Sequence, residues 1–394
     1  MPELRLRHRE DRRLTAGHLW VFSNEVDTAR TPLTDLAPGD VVRVIGDKER
    51  FLGYAYVNPH ALICARILGR DPEFAPGKSL FVHRLQVALA LRERLYDRPF
   101  YRLVYGESDG LPGCVLDRYG DVIVGQIGTA GMEAMKGEMV EALGKVIGPR
   151  TMIWKNDSGA RELEGLPSYV ETAFGDSVER TSVVENDVTF EVPIGHGQKT
   201  GWFYDQASNR RALLKYVRGR RVLDVFSYLG AWGLAAARAG ASEVVCVDSS
   251  ATALEILARS AQANGLENVR TIRDDAFDVL AALREAGEKF DVVVIDPPAF
   301  IKRRKDTPKG QAAYRKLNQL AMQLLPRDGI LVSCSCSHHL APDGLIDIVQ
   351  QAARHLGRFA QVIEVGGHAP DHPLHPAIPE TRYLKSLFCR VVHD

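Results

Sequence analysis

Between Arg221 and Ser335 the sequence repeats one pattern: a short apolar run rich in β-branched residues that stops at a polar side chain, then a stretch with helical periodicity. The runs are RVLDVFS, SEVVCVD, NVRTIRDD, FDVVVIDPP and GILVSCS, with helices expected from Ala231, from Ser250 and in the two gaps that follow. Strands alternating with helices call for an α/β fold, a doubly wound parallel sheet covered by helices. In such a sheet ligands bind outside the carboxyl ends of the strands, so the residues at those ends carry the functional information.

The chain has 394 residues, too many for one domain of about 150. Asp40 to Leu68 holds three short β-rich runs separated by Gly-Asp-Lys and Asn-Pro-His turns, the pattern of a small antiparallel barrel or sheet. A helix is expected over Ser79 to Tyr96. Turn-bracketed strands follow in YRLVYGESDGLPGCVLDRYGDVIVGQIG, then an amphipathic helix around Gly131 to Val146 and a strand at Thr151 to Lys155. These features divide the chain into a β module at 1–72, a central α+β domain at 73–188 and the alternating domain at 189–394.

Fifty basic and fifty acidic side chains cancel, so no global field recruits an anionic partner and any nucleic-acid contact must use local patches. The amino terminus has no apolar signal core, and no apolar run approaches the ~18 residues of a membrane span. Six scattered cysteines make no disulfide framework. A cytoplasmic location without membrane contact is expected.

At the first strand end Asp224 precedes a turn containing Gly230 and Gly233, whose spacing is not that of a dinucleotide fingerprint; Gly230 can equally be a helix-packing glycine. Asp248 ends the second strand, where a carboxylate can accept both ribose hydroxyls of a nucleoside. Its alternative is a helix cap, a role Ser249 or Ser250 can also take. Asp275-Ala276-Phe277 follows the third strand and offers a carboxylate and an N–H to an adenine edge, or another cap. Asp296-Pro297-Pro298 ends the fourth. Two prolines remove two N–H donors and stiffen the loop, leaving carbonyls and a carboxylate to accept from a planar base. Together these ends resemble those of class I S-adenosylmethionine-dependent methyltransferases. The cofactor is implied by that resemblance, since the periodicity alone fits a nicotinamide enzyme as well.

Two thiols close the fifth run. Cys334 and Cys336 lack a second cluster at zinc spacing even with His338 and His339. Residues two apart on a strand have Cα atoms ~6.5 Å apart, near the upper limit for a bridge. Cys334 still lies within the strand as a small hydrophobe. Cys336 comes after it, in the loop facing the other strand ends, where a nucleophile belongs. C5 of a pyrimidine is too weakly nucleophilic to take a methyl unaided, and a thiolate adding to C6 makes C5 reactive.

The elements "HLWVFSNEV", "ESDGLPGCVLDRYGD", "GQKTGWFYDQASNRR", "DPPAF", "SCS" and "HP" followed by "PETRYLK" run collinearly along the chain. In this it resembles the bacterial large-subunit ribosomal RNA cytosine-C5 methyltransferases. The resemblance implies an amino-terminal PUA-like module, a central α+β domain that binds RNA and a Rossmann-like methyltransferase domain. The family's single thiol in "SCS" maps onto Cys336, and Cys334 is a departure from the pattern.

The resemblance also implies S-adenosyl-L-methionine as cofactor. Its contacts would come from a strap beginning at Gln198 (Lys199, Thr200, Phe203, Gln206, Arg210) and from Asp224, Phe226, Ser227, Tyr228, Gly230, Asp248, Ser249, Asp275, Ala276 and Asp296. The alternative reading of Asp205 and Arg210 is a surface ion pair. The partner implied is large-subunit ribosomal RNA, held by Pro297, Pro298, Phe300, Lys302 and Arg303, with Arg304, Lys305 and Arg5 to Arg13 as further basic clusters. Phe300 and Tyr228 are candidates to stack on a flipped base, or are core. Cys336 and Asp296 are the expected catalytic pair, while Glu380 and Lys385 are weak candidates for the base that removes the C5 proton. The rivals are methylation of an exocyclic amine, which leaves Cys336 without a task, and a non-catalytic ribosome-assembly factor. Oligomeric state is left open, a homodimer included.

Overall fold

The computed structural model describes residues 1–195, 197 and 199–393. The chain gathers into two units: the first is Met1–Thr181 with Pro193–Trp202 and Asp371–Thr381, and the second is Ser182–Val192, Phe203–Pro370 and the chain from Arg382 onward.

The second unit is built on a seven-stranded sheet. Its strands are β1 (Arg221–Val225), β2 (Glu243–Asp248), β3 (Val269–Arg273), β4 (Val292–Ile295), β5 (Asp328–Ser335), β6 (Arg358–Gly366) and β7 (Lys385–His393). They lie in the order β3-β2-β1-β4-β5-β7-β6. The five strands expected from the sequence pair in parallel. A wholly parallel sheet is corrected at β7, which runs antiparallel to both β5 and β6. Parallel neighbours need a crossover, usually a helix, and residues 367–384 contain only the single 3-10 turn Pro379–Thr381.

Helices α1 (Ala231–Arg238), α2 (Ala251–Ala263), α3 (Ala276–Glu285), α4 (Thr307–Gln323) and α5 (Pro342–His355) follow the first five strands. Leu280, Leu317, Ala321 and Leu345 of α3, α4 and α5 bury one sheet face against Leu223, Val245, Val293 and Leu331. The other face takes α1 so closely that a Cβ on Gly233 would stand 2.4 Å from Cys246 Sγ. Val222–Val225, Val244–Val247 and Val292–Ile295 are buried throughout, the near-continuous apolar runs that central parallel strands require. The strand order reverses between β1 and β4, which puts the crevice expected to bind ligands at their carboxyl ends.

In the first unit, Val41–Ile45, Phe51–Val57 and Ile63–Gly69 form the expected antiparallel run. Glu3–Arg5 and Trp20–Phe22, too short to show an alternation, complete a five-stranded sheet. A second sheet orders Tyr169–Phe174, Thr151–Asn156, Val122–Ile127, Cys114–Tyr119 and Phe100–Tyr105. The helix expected at Ser79 to Tyr96 spans Lys78–Leu95. The one around Gly131 to Val146 is broken at Met135 into Ala130–Ala134 and Lys136–Val146. Gly131 is pressed onto Tyr56, where a Cβ would approach the ring to 2.0 Å. Among the described residues no helix is long and apolar enough to cross a membrane.

Candidate active site

Asp224 is fully buried at the end of β1, and its Oδ2 accepts the Gly233 N–H at 2.9 Å. Burial, with Asp296 and Asp248 nearby, pushes its carboxyl up to about 7. The following loop bends through left-handed backbone at Phe226 (φ 66°) and Tyr228 (φ 48°), a strain of about 1–3 kcal/mol each that persists only where surroundings enforce it. They do: Ser227 N–H donates to the Val247 carbonyl at 2.9 Å and Tyr228 N–H to Asp248 Oδ2 at 2.8 Å. Gly230, at φ 79°, sits so close to α2 that a Cβ there would meet Leu257 at 2.6 Å.

Asp248 is half-buried, and its second oxygen accepts the Ser250 N–H at 2.9 Å. Ser250, rather than Asp248 or the exposed Ser249, caps α2 by accepting the Ala253 N–H. Asp275 is exposed and caps α3 through the Phe277 N–H at 2.8 Å, with Ala276 buried behind it.

Two acceptors in this crevice, Asp224 Oδ1 and Ser227 Oγ, are buried with no hydrogen-bond partner among the described residues. Each orphaned group costs about 1–3 kcal/mol unless a donor arrives. S-adenosylmethionine carries an ammonium and ribose hydroxyls, so the residues present fit that cofactor.

Asp296 sits across the crevice at the end of β4. Gln206 Nε2 donates to its Oδ1 at 2.9 Å and the Trp232 indole N–H to its Oδ2 at 3.1 Å. Burial pushes this carboxyl up to about 6 despite both donors. Gln206 is itself oriented by Asn209 Nδ2, which donates to its Oε1 at 2.6 Å. Nothing in the sequence marked Trp232: it lies in α1, 64 positions from Asp296, and only the close approach of α1 to the sheet aims its indole there.

The two thiols separate as their positions in the strand require. Cys334 is fully buried within β5, its Sγ 3.3 Å from Ser386 Oγ, and burial drives its pKa far up. Cys336 lies past the strand end, only partly buried, with its Sγ 3.8 Å from the Pro297 carbonyl. The flanking serines anchor that loop. Ser335 Oγ donates to the Tyr314 hydroxyl at 2.9 Å, Ser337 Oγ lies 2.8 Å from the same hydroxyl, and Ser337 Oγ accepts the Ile301 N–H at 3.0 Å. One phenol on α4 thus ties both sides of Cys336, a role that neither the SCS spacing nor the helix pattern revealed.

Lys385 opens β7 opposite Ser335, is 6 % exposed, and donates from Nζ to the Ser337 carbonyl at 2.6 Å. Burial pushes it from 10.5 down to about 8, with the neighbouring Cys336 acting in the opposite sense. The unfolded chain therefore binds more protons between these values, and stability should rise with pH from about 8 to about 10.5. After allowance for solvent screening the gain is about 2 kcal/mol. Urea unfolding across that range, compared with Lys385→Met, measures it; identical pH slopes would show that the lysine is not held as described. Glu380, the other candidate base, belongs to the first unit, whereas Lys385 shares the second with Cys336.

The remaining expected residues belong to both units. Phe203 meets Tyr228 edge-on, with ring centroids 5.6 Å apart. Arg210 is buried rather than on the surface, and its partner is Glu185 (Nη2 to Oε2, 2.6 Å) together with the Phe203 carbonyl at 3.0 Å. Asp205 instead accepts from the Tyr383 hydroxyl. Lys199 and Thr200 group with the first unit, where Thr200 is buried and donates to Asp117; Lys199 is exposed. Gln198 lies outside the described residues. Phe300 packs on Tyr314 at 4.8 Å as part of the core margin. Pro298, Lys302 and Arg303 are exposed beside it, Arg303 paired with Asp306 at 3.1 Å.

A family model described as S-adenosylmethionine-dependent methyltransferase matches residues 165–388, and one described as PUA-like domain matches residues 4–70. The chain is 39 % identical over 388 residues to the Photobacterium profundum protein named ribosomal RNA large subunit methyltransferase I, covering 97 % of each. The Aeromonas salmonicida protein of that name is 38 % identical over 387 residues, with 96 % of this chain and 97 % of that one covered. Among solved structures, SMU.776 complexed with SAH superposes with a TM-score of 0.84 at 21 % identity, over 99 % of this chain and 100 % of that one. The M. jannaschii tRNA m1G37 methyltransferase superposes with a TM-score of 0.52 at 17 % identity, over 79 % of each. At these identities the two structures speak for the fold.

Proposed function

Because the chain belongs to the S-adenosylmethionine-dependent methyltransferase family whose members include the proteins named ribosomal RNA large subunit methyltransferase I, we propose that it methylates C5 of a cytosine in large-subunit ribosomal RNA. The cofactor supplies an electrophilic methyl group; the remaining chemistry falls to this chain. Asp224, Ser227 and Asp248 bind the cofactor's donors in the crevice, with Phe226, Tyr228, Ser249, Asp275 and Ala276 around it. Phe203, Gln206 and Arg210 of the strap cover it.

The Cys336 thiolate attacks C6 of the base, forming an S–C6 bond while the C5–C6 electrons shift so that C5 becomes nucleophilic. Asp296, with a carboxyl poised near 6, holds N3 and shares its proton, and the Pro297 carbonyl accepts from the exocyclic amine. Once C5 has accepted the methyl, its proton leaves to a base, the C5–C6 bond re-forms and the thiolate departs. Lys385, buried beside the cysteine loop, favours the thiolate by its charge and, when neutral, takes that proton. Pro298, Phe300, Lys302 and Arg303 line the approach of the RNA. The division at residues 72 and 188 and a cytoplasmic setting belong to the same proposal.

One observation carries this reading: the accessible thiol stands 3.8 Å from the carbonyl of the Asp-Pro-Pro loop. Ribosomal RNA containing 5-fluorocytidine tests it, because fluorine cannot leave as a cation and the adduct stalls. A protein–RNA band surviving denaturing electrophoresis is expected; its absence with enzyme that methylates ordinary RNA sinks the C5 chemistry.

A further inference from the structure

The motif ESDGLPG takes no part in the chemistry above, yet its residues Glu107 to Gly110 line a cavity of about 420 Å³ within the first unit. The size suits a small ligand. Leu19, Leu68, Val87 and Leu91 supply apolar wall, and Arg70 and Arg84 stand on the lining.

The charges do not balance locally. Asp109 is consumed by Arg92, at 2.6 and 2.8 Å, and by the Tyr105 N–H. Glu107 accepts the Trp20 indole N–H at 2.8 Å and lies 3.9 Å from Arg66. Among the described residues Arg70 donates only to carbonyls, those of Leu52 and His18, at 3.2 and 2.9 Å. Arg84 makes no hydrogen bond or ion pair among the described residues, and its Nε is buried without an acceptor, as is Ser108 Oγ without a partner. Gly110, at φ 71°, keeps the backbone bare where a Cβ would come within 3.0 Å of the Arg84 guanidinium. Two cations without carboxylates and an idle hydroxyl beside an apolar wall call for an anion joined to a flat, largely apolar body. That is the chemistry of a nucleotide. Val87 and Leu91 are 56 % and 37 % exposed, so a nucleotide can enter from outside while still joined to its strand.

We propose that this cavity holds one nucleotide of the RNA, its base against the Val87–Leu91 wall and its phosphate on Arg84 and Ser108. The assignment rests on RNA being the substrate. It makes the first unit a second point of purchase, separate from the methyl-transfer chemistry.

The test measures binding of a large-subunit ribosomal RNA transcript by anisotropy and of S-adenosylhomocysteine by calorimetry, on the full chain. Arg84→Ala is expected to weaken RNA binding roughly tenfold and to lower the salt slope by about one, with S-adenosylhomocysteine affinity unchanged. Arg84→Lys should restore most of the affinity, and Val87→Trp should lose it by filling the cavity. Wild-type affinity and salt slope in both Arg84→Ala and Val87→Trp would overturn the proposal while leaving the substrate reading intact. Failure of the wild type to bind RNA would overturn both. Cytidine monophosphate binding that Arg84→Ala abolishes, without any change toward RNA, would make this a free-mononucleotide site and overturn the assignment to the strand.

Discussion

Cys336→Ala is expected to lower methyl transfer to RNA by at least about 10⁴-fold, since a covalent nucleophile and the groups serving it act as a unit. Cys334→Ala should stay within about threefold of wild type, because that thiol is sealed inside β5 against Ser386. Cofactor affinity should survive in both, as neither sulfur lies at the strand ends assigned to S-adenosylmethionine. Tritium transfer from labelled cofactor, with calorimetry on S-adenosylhomocysteine, reads all three quantities. Full turnover by Cys336→Ala would eliminate the C6 adduct, and a collapse confined to Cys334→Ala would move the nucleophile two positions back. Tyr314→Phe offers a subtler check, since it leaves the thiol in place but removes the hydroxyl that joins Ser335 and Ser337. A fall in turnover with no change in S-adenosylhomocysteine affinity is the expected result.

Arg210→Met should destabilise the second unit by roughly 3–5 kcal/mol, because it removes the buried guanidinium that donates to the Glu185 carboxylate, 13 % exposed, through two hydrogen bonds. Paired with Glu185→Met, much of that loss should return, since a buried ion pair replaced on both sides by apolar groups is often close to neutral. Urea unfolding of the two single variants and the double variant forms the cycle. A cost below about 1 kcal/mol for Arg210→Met, the range of an exposed pair, would mean that the guanidinium is not the buried partner seen here. Burial of the cation is opposed by desolvation and more than offset by Glu185, with Asp205 and Asp296 adding to it, so its charge persists at every accessible pH.

What the sequence by itself determined is whatever depends on neighbours close along the chain. Apolar runs of strand length alternating with helical periods specified β1 to β5 and their order of appearance. The polar residue ending each run marked the crevice, and the end of the apolar run before Cys336 separated a buried Cys334 from an accessible Cys336. The partners came from the tertiary structure alone. Trp232 reaches Asp296, Tyr314 ties the two serines, Lys385 holds the Ser337 carbonyl and Arg210 finds Glu185. The antiparallel insertion of β7 between β5 and β6 belongs with them, since it is what brings Lys385 opposite Ser335. Periodicity is a local property of the backbone, whereas the choice of one donor among many distant ones depends on how closely helix and sheet approach, and that is settled only when the whole core packs.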